Sequence, residues 1–222
     1  PQDVIDAALA FMRAGLNTEA ASVLKTCTCP NQLVACYEAY VTGGTFEASE
    51  MKLCFPNRLE DIAVLAHFPH AWQAQYLLGC LYYDRMNYAA ARTAWEESAR
   101  LNPDDAFTWR NLAQALYDHF GEKEEARACL EKALRLAPEN ARIVYELLQL
   151  YKNINMPVKD RLAFLEAHAA LARQRDDCFL DMIVLYMQEG RFEKARELLL
   201  SKRFNIYEGG EGKLTRMHGW LY

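Results

Sequence analysis

The sequence predicts an all-α fold in which antiparallel helix pairs stack as a right-handed superhelix, and three observations carry that prediction. A pattern of large, small and proline positions recurs about every 34 residues. Apolar residues within each copy follow the spacing of an amphipathic helix. No stretch alternates apolar and polar residues for long enough to predict a strand. A lone helix pair cannot bury its apolar side, so we expect about six stacked units and about twelve helices.

Residues 72–105 hold the clearest copy of the pattern. Counted from Trp72, positions 7, 8, 11, 20, 24 and 32 are Leu78, Gly79, Tyr82, Ala91, Trp95 and Pro103. The small residues at positions 8 and 20 are predicted to let the two helices approach closely, and Trp95 is predicted to fill the gap between units. Pro103 is predicted to end the second helix, because proline lacks an N–H group and clashes with the preceding turn.

Residues 106–140 repeat the pattern with one inserted residue. Its marked positions are Trp109, Leu112, Ala113, Ala126, Leu130, Ala133 and Pro138. Together the two copies resemble the tetratricopeptide repeat (TPR), whose pattern is W-x2-LG-x2-Y, then A, F, A and P. The resemblance implies helix–turn–helix units whose first helices line a concave groove.

The rest of the chain is predicted to be one continuous solenoid of weaker copies. We expect a degenerate repeat over 1–29, a divergent helical segment over 30–71, an irregular repeat over 141–175, a repeat over 176–209 and the start of a further helix over 210–222.

Several helix ends can be predicted from local signals. A helix over 32–41 should end at the glycine pair 43–44, and a short helix is expected over 47–53. Asn57 and Glu60 form a capping-box-like pair before the next helix, which should end before Pro69. The second helix of 141–175 should run unbroken from 158 to 173, since its apolar residues keep one face.

Composition limits the function classes. The 222 residues are 52% hydrophobic and carry a formal charge of −5. No apolar run is long enough to span a membrane, and no block of Lys and Arg predicts a nucleic-acid surface. We therefore expect neither a membrane nor a nucleic-acid partner. No secretory signal is visible at the start of the chain. The chain begins at Pro1 rather than Met, so we expect a fragment of a larger protein.

The seven cysteines do not predict a disulfide framework, because their number is odd. A zinc site needs more closely paired thiolates than the C-x-C-x6-C spacing of Cys27, Cys29 and Cys36. Buried apolar cysteines in a reducing cytoplasmic location are the preferred interpretation, and we expect no metal and no cofactor.

A closer resemblance rests on short phrases in order along the chain. They are Tyr76-Leu77-Leu78-Gly79, Trp95-Glu96, Arg110-Asn111-Leu112, Glu146-Leu147, Arg161-Leu162, Arg203-Phe204 and Glu208-Gly209-Gly210-Glu211-Gly212. From about Pro56 onwards the sequence resembles the TPR region of large bacterial proteins with an N-terminal domain of unknown function. That resemblance implies a multidomain context, and the sugar-handling genes that often neighbour such proteins imply a carbohydrate context.

The predicted groove face is rich in aromatic, amide and charged side chains, which suit a peptide, a partner helix or a sugar. The candidate binding residues are Tyr76, Tyr83, Phe107, Arg110, Asn111, Gln114, Tyr117, Arg142, Tyr145, Glu146 and Gln149. The alternative is a groove face that is merely solvated. We favour binding, because exposed aromatic side chains without a use are costly.

The carboxylate clamp of chaperone-binding TPR domains is not predicted here. Asn111 and Arg142 occupy two of its five positions, but Tyr76, Cys80 and Glu146 occupy the others. An acidic residue at Glu146 would repel a carboxylate, so we expect no clamp.

The glycine-rich loop over 208–212 carries Glu208 and Glu211. It is either an ordinary loop between helices or a loop that presents a carboxylate to a ligand in the groove. Glu146 with Glu208 or Glu211 is the one candidate acid/base pair, and no residue is assigned a catalytic role.

Three functions stay open from the sequence. The preferred one is a non-catalytic scaffold that binds a protein segment, or a domain of its own protein, in the concave groove. The second is the helical part of a carbohydrate-binding or carbohydrate-active protein that uses Arg110, Glu146 and Glu208. The third is self-association through exposed end repeats.

Overall fold

The computed structural model describes residues 1–46, 54–205 and 211–221. Within those ranges the regular elements are fourteen α-helices and one π-helical turn. The helices are α1 (Gln2–Arg13), α2 (Asn17–Leu24), α3 (Gln32–Thr42), α4 (Leu59–Ala66), α5 (Trp72–Asp84), α6 (Tyr88–Leu101), α7 (Ala106–Ala115), α8 (Lys123–Leu136), α9 (Ala141–Asn153), α10 (Val158–Ala167), α11 (Ala169–Gln174), α12 (Asp176–Gln188), α13 (Phe192–Leu200) and α14 (Glu211–Leu221). The all-α prediction is confirmed, and the expected short helix over 47–53 lies outside the described residues.

The chain forms two compact units, Pro1–Glu122 and Lys123–Tyr222. In the first unit, α1 packs on α2, α2 on α3, α4 on α5, α5 on α6 and α6 on α7. In the second unit, α8 packs on α9, α10 and α11 pack on both α9 and α12, and α12 packs on α13. Each helix thus contacts mainly its neighbours in the chain, as in a solenoid.

Polar side chains start several of these helices. Asn31, Asn87, Asp105 and Asn140 each stand just before a helix and accept a hydrogen bond from a backbone N–H of its first turn. Such caps satisfy donors that have no partner inside the helix. At the opposite ends, α6 stops two residues before Pro103 and α8 stops two residues before Pro138, as the proline positions predicted.

The turns inside the helix pairs share a left-handed residue. Gly15, Gly121 and Gly190 have φ of 76°, 71° and 72°, and Met86 and Asn155 both have φ of 59°. Four of these five residues stand at position 15 of their copy, and Gly121 stands one place later. A single residue of positive φ therefore reverses the chain in each turn.

The inserted residue of the second clear copy is absorbed by a π-helical turn over Leu116–Phe120. There the N–H of Gly121 bonds to the carbonyl of Leu116, five residues earlier. A π turn holds one residue more than an α turn over the same rise. The extra residue thus lies at the end of α7, before the chain reverses.

The first unit has one main core cluster, which joins α1 to α6. Its members are Ile5, Ala8, Leu9, Ala20, Leu24, Leu33, Val34, Cys36, Tyr37, Val64, Leu65, Ala74, Leu77, Leu78 and Ala94.

Gly79 and Trp95 correct one prediction. Trp95 packs inside its own repeat, where its indole N–H donates to the Tyr76 carbonyl at 3.1 Å. A Cβ on Gly79 would lie 2.4 Å from Cδ1 and Nε1 of that indole. Gly79 is therefore small because it makes room for the tryptophan ring, rather than for the facing alanine.

Two predicted helix boundaries were wrong. The helix expected over 158–173 breaks at His168, where the imidazole Nδ1 lies 2.8 Å from the Phe164 carbonyl and the chain continues as α11. The capping pair expected from Asn57 and Glu60 is replaced by Asp61, whose Oδ2 accepts the N–H groups of Asn57 and Arg58 at 2.9 Å.

All seven cysteines are free thiols. Cys36 and Cys178 are buried and Cys29 is exposed, while the other four are half-buried, so burial holds for only part of the set. In the described part of the chain, no three His, Cys, Asp or Glu side chains are grouped to hold a metal ion. Within the same ranges, none of the helices is both long and apolar enough to cross a bilayer.

Candidate functional site

Three candidate residues of the first unit, Tyr76, Arg110 and Asn111, meet where α5 lies beside α7. Asn111 donates from Nδ2 to the Tyr76 hydroxyl at 3.3 Å and contacts Cys80 Sγ at 3.7 Å. Arg110 donates from Nη1 to Asn111 Oδ1 at 3.2 Å. Burial raises the pKa of Tyr76, so its hydroxyl stays neutral at physiological pH. The amide of Asn111 is thereby held between an arginine and a phenol.

Helix α7 presents a continuous stripe of candidate residues. Phe107, Arg110, Asn111 and Gln114 are spaced by three and four residues, which places them on one side of the helix. Asp105 starts this helix by accepting the Thr108 N–H at 2.7 Å. The Phe107 side chain is 50% exposed, while its neighbour Ala106 is buried. The stripe thus combines one exposed aromatic ring with ordered polar groups.

Tyr83 lies in an aromatic cluster at the end of α5. Its hydroxyl is 3.2 Å from His119 Nε2, and its ring makes edge contacts with Tyr88 and His119. The His119 ring also stacks on Tyr88, with centroids 3.4 Å apart. His119 was not among the predicted residues, although Tyr117 was. The π turn rotates the chain after Leu116. Counting positions without the inserted residue therefore selects Tyr117 for the groove face, whereas the residue that faces Tyr83 in the structure is His119.

In the second unit, the candidate residues of α9 make separate contacts. Arg142 donates to Glu146 Oε1 at 2.9 Å, one turn along the same helix. Gln149 donates to Asp181 Oδ2 on α12 at 2.8 Å. The ring of Tyr145 lies under the Arg175 guanidinium at 4.9 Å. Gln149 and Tyr145 therefore link α9 to the next repeat.

The candidate acid/base pair is not assembled by the described residues. Glu146 is ion-paired with Arg142. Glu208 lies outside the described residues, and Glu211 is described only as the first residue of α14. The loop contribution of both residues stays a prediction.

The positions of a carboxylate clamp are occupied by groups that do not suit an anion. Burial raises the pKa of the Cys80 thiol to about 11, so this side chain carries no charge at pH 7. Tyr76 is a neutral phenol, and Asn111 is already bonded to it. Arg142 is the one cation among the five clamp positions, and it is ion-paired with Glu146 rather than left for a carboxylate.

A family model described as tetratricopeptide repeat matches residues 61–106 and 76–141. Solved structures of related shape share little sequence. The pilF structure from Pseudomonas aeruginosa has a TM-score of 0.61 at 15% identity, covering 99% of this chain and 96% of that chain. A crystal structure of MamA has a TM-score of 0.54 at 17% identity, covering 72% of this chain and 85% of that chain. MamA from residue 41 to its end, from Desulfovibrio magneticus RS-1, has a TM-score of 0.50 at 13% identity, covering 99% and 95%.

These identities show the fold alone, whereas the family match rests on the repeat pattern itself. The match covers the copies in which Gly79, Trp95, Pro103 and Pro138 stand at their marked positions. Residues 61–141 of this chain therefore carry tetratricopeptide repeats.

Proposed function

We propose that this protein is a non-catalytic scaffold that binds a protein segment on the face of α5 and α7 formed by Tyr76, Phe107, Arg110, Asn111 and Gln114, called the α5–α7 face below. The observation that carries the proposal is the half-exposed ring of Phe107 beside the hydrogen-bonded chain Arg110–Asn111–Tyr76. Repeats of this family are used mainly to bind other proteins, and a segment is the ligand that such a face suits best.

The polar half of this face supports a specific rather than a general contact. Asn111 and Arg110 are ordered before a ligand arrives, so less side-chain entropy is lost on binding. The Nδ2 group of Asn111 is already donated to Tyr76 and Cys80, so its remaining capacity is to accept a hydrogen bond at Oδ1. A backbone N–H of a partner segment can donate that bond whatever the sequence of the segment. The aromatic ring of Phe107 then supplies apolar area and selects an apolar side chain of the partner.

Phe107 and Asn111 can be tested separately. Peptides of twelve residues are selected from a random display library on the full chain, and their affinities are measured by fluorescence anisotropy. Phe107→Ala and Asn111→Ala should each weaken binding about tenfold, the loss of about 1.4 kcal/mol typical of an interface anchor. The matched control is Phe192→Ala, because Phe192 is 55% exposed on α13 in the other unit.

Equal affinities for wild type and Phe107→Ala would contradict the proposal, and so would a failure to select any peptide. A loss that is equally large in Phe192→Ala would point to general stickiness of exposed rings instead. Light scattering at the concentrations used separates peptide binding from self-association.

The carbohydrate alternative depends on three residues that the structure does not bring together. Arg110 is bonded to Asn111 in the first unit, Glu146 is ion-paired with Arg142 in the second, and Glu208 lies outside the described residues. No specific observation favours a sugar over a protein segment.

A further inference from the structure

The second unit contains a small recess between α9, α10 and α12, which we call the α9–α12 recess. It is lined by Leu148, Lys152, Arg161, Asp181, Val184, Leu185 and Gln188, and its volume is about 70 Å³. A buried water needs roughly 10–15 Å³ of such space, so the recess has room for several non-hydrogen atoms. None of these residues belongs to the α5–α7 face.

Two cationic side chains line the recess without a carboxylate partner. Arg161 donates from Nε to the Met156 carbonyl at 3.0 Å, which fixes the start of its guanidinium group. Among the residues that the structure describes, neither Lys152 nor Arg161 lies within ion-pair distance of an acid. The terminal nitrogens of Arg161 are therefore the donors left for a ligand.

The single acid of the recess is already engaged. Asp181 Oδ2 accepts a hydrogen bond from Gln149 at 2.8 Å. Counting Lys152, Arg161 and Asp181, the recess keeps one net positive charge. An anion is the ligand that would neutralise it, and a guanidinium group binds carboxylates with well-aligned hydrogen bonds.

The lining also defines the shape of that anion. Leu148, Val184 and Leu185 form an apolar part, and two of them are buried. A ligand with a short chain of methylene groups and a terminal carboxylate would fill both parts, whereas a compact anion would leave the apolar part uncovered.

The distribution of charge along the chain favours an acidic ligand for this unit. Residues 1–122 carry 8 Lys and Arg against 15 Asp and Glu, a formal charge of −7. Residues 123–222 carry 17 Lys and Arg against 15 Asp and Glu, a formal charge of +2. The net charge of the second unit thus favours an acidic ligand there.

We propose that the α9–α12 recess binds a glutamate side chain of a protein segment. This inference rests on the proposed function for the identity of the partner as a protein. The glutamate methylene groups would cover Leu148 and Val184, and its carboxylate would bond to Arg161 and Lys152. The recess differs from the carboxylate clamp, whose residues stand on the first helices of the repeats. In the recess, Arg161 stands on the second helix of its repeat.

The test uses small probes, so that it does not depend on peptide binding to the α5–α7 face. N-acetyl-glutamate methylamide, N-acetyl-glutamine methylamide and inorganic phosphate are titrated into the full labelled chain. NMR follows the Arg161 Nε–H signal and the methyl signals of Leu148 and Val184. The glutamate probe should shift all three with saturation, and its affinity should exceed that of the neutral probe about fivefold or more.

Lys152→Met and Arg161→Met should each remove that preference for the charged probe. Lys159→Met is the matched control, because it deletes one positive charge from the same helix as Arg161 at an exposed position. If Arg161→Met fails to fold, Lys152→Met alone decides, since the Lys152 side chain is exposed.

Equal shifts with the glutamate and glutamine probes would overturn the proposal. Phosphate bound as tightly as the glutamate probe would also overturn it, because the recess would then be a general anion site. If the glutamate probe binds the recess while no peptide binds the α5–α7 face, the proposed function fails and the recess stands.

Discussion

Asp61 is a fully buried carboxylate at the start of α4, and its two oxygens accept three hydrogen bonds. The donors are the Tyr37 hydroxyl at 2.6 Å and the N–H groups of Asn57 and Arg58, both at 2.9 Å. A buried charge is tolerated only when its lone pairs are satisfied in this way. Burial, together with the bond to Asp61, raises the pKa of Tyr37, which stays a hydrogen-bond donor.

Tyr37→Phe should lower the free energy of unfolding by about 1–3 kcal/mol, because it removes one of the three donors while Asp61 stays buried. Urea unfolding followed by circular dichroism measures the loss. Tyr40→Phe is the control, since Tyr40 is on the same helix and is 36% exposed. An equal effect of the two variants would show that the buried carboxylate does not need this bond.

Met86 is the residue of positive φ whose side chain suits that conformation least. Its φ is 59° and its side chain is 75% exposed, whereas three equivalent turns use glycine. A Cβ in the left-handed region costs roughly 1–2 kcal/mol, and the exposed side chain gains little packing in return.

Met86→Gly should be about 1 kcal/mol more stable than Met86→Ala, because glycine alone removes the Cβ clash. The comparison with alanine cancels the loss of the methionine side chain. Chemical unfolding of both variants gives the difference. Equal stabilities would mean that the turn relaxes to a conformation that alanine accepts.

The α5–α6 pair depends on the contact between Gly79 and Trp95. The indole ring lies against the backbone of Gly79, and its N–H is bonded to the carbonyl of Tyr76 on α5. Because both partners of the contact are held in helices, neither can move away without disturbing the pair.

Gly79→Ala should destabilise the protein by about 1–3 kcal/mol, since the new Cβ would overlap the Trp95 ring. Thermal unfolding measures the change. Gly219→Ala is the matched control, because a Cβ there would meet open space in α14. That variant should be unchanged or up to about 1 kcal/mol more stable. A Gly79→Ala variant as stable as its control would show that the ring has room to shift.

The elements show which predictions local sequence can support. Three features follow from chemistry within a few residues of the chain. They are the left-handed turn at Gly43, the helix ends before Pro103 and Pro138, and the face of α7. The break at His168 does not, because the apolar residues on both sides stay in phase while the imidazole competes for the Phe164 carbonyl. The π turn could be predicted in part. The repeat spacing showed that one residue is inserted, but not where along the helix pair the insertion lies.

At the scale of the whole chain, contacts between successive repeats could not be predicted from the sequence. The bonds from Asn111 to Tyr76 and from Gln149 to Asp181 join residues 35 and 32 positions apart. Counting positions within the repeats predicted both partners of the first bond and Gln149 of the second as candidate residues. Only the packed helices show which atoms form the bonds. The α9–α12 recess was missed for the same reason, because Arg161 enters it from a second helix.

A solenoid should respond to damage locally, because each repeat contacts mainly its neighbours. Ile5→Val on α1 and Ile183→Val on α12 each remove one methylene from a fully buried position, at a cost of about 1 kcal/mol. Hydrogen exchange measured by mass spectrometry should speed up mainly in α1–α3 for the first variant and in α11–α13 for the second. A uniform rise across the chain in both variants would indicate one cooperative block.

The seven free thiols form a natural set of chemical reporters along the chain. Cys29 is exposed and should react with a thiol reagent in the native protein, whereas Cys36 and Cys178 are buried in the first and second units. Burial also raises the pKa of Cys36, which keeps the reactive thiolate scarce until the site opens. The order in which these cysteines are labelled would therefore record which repeats open first, without any engineered probe.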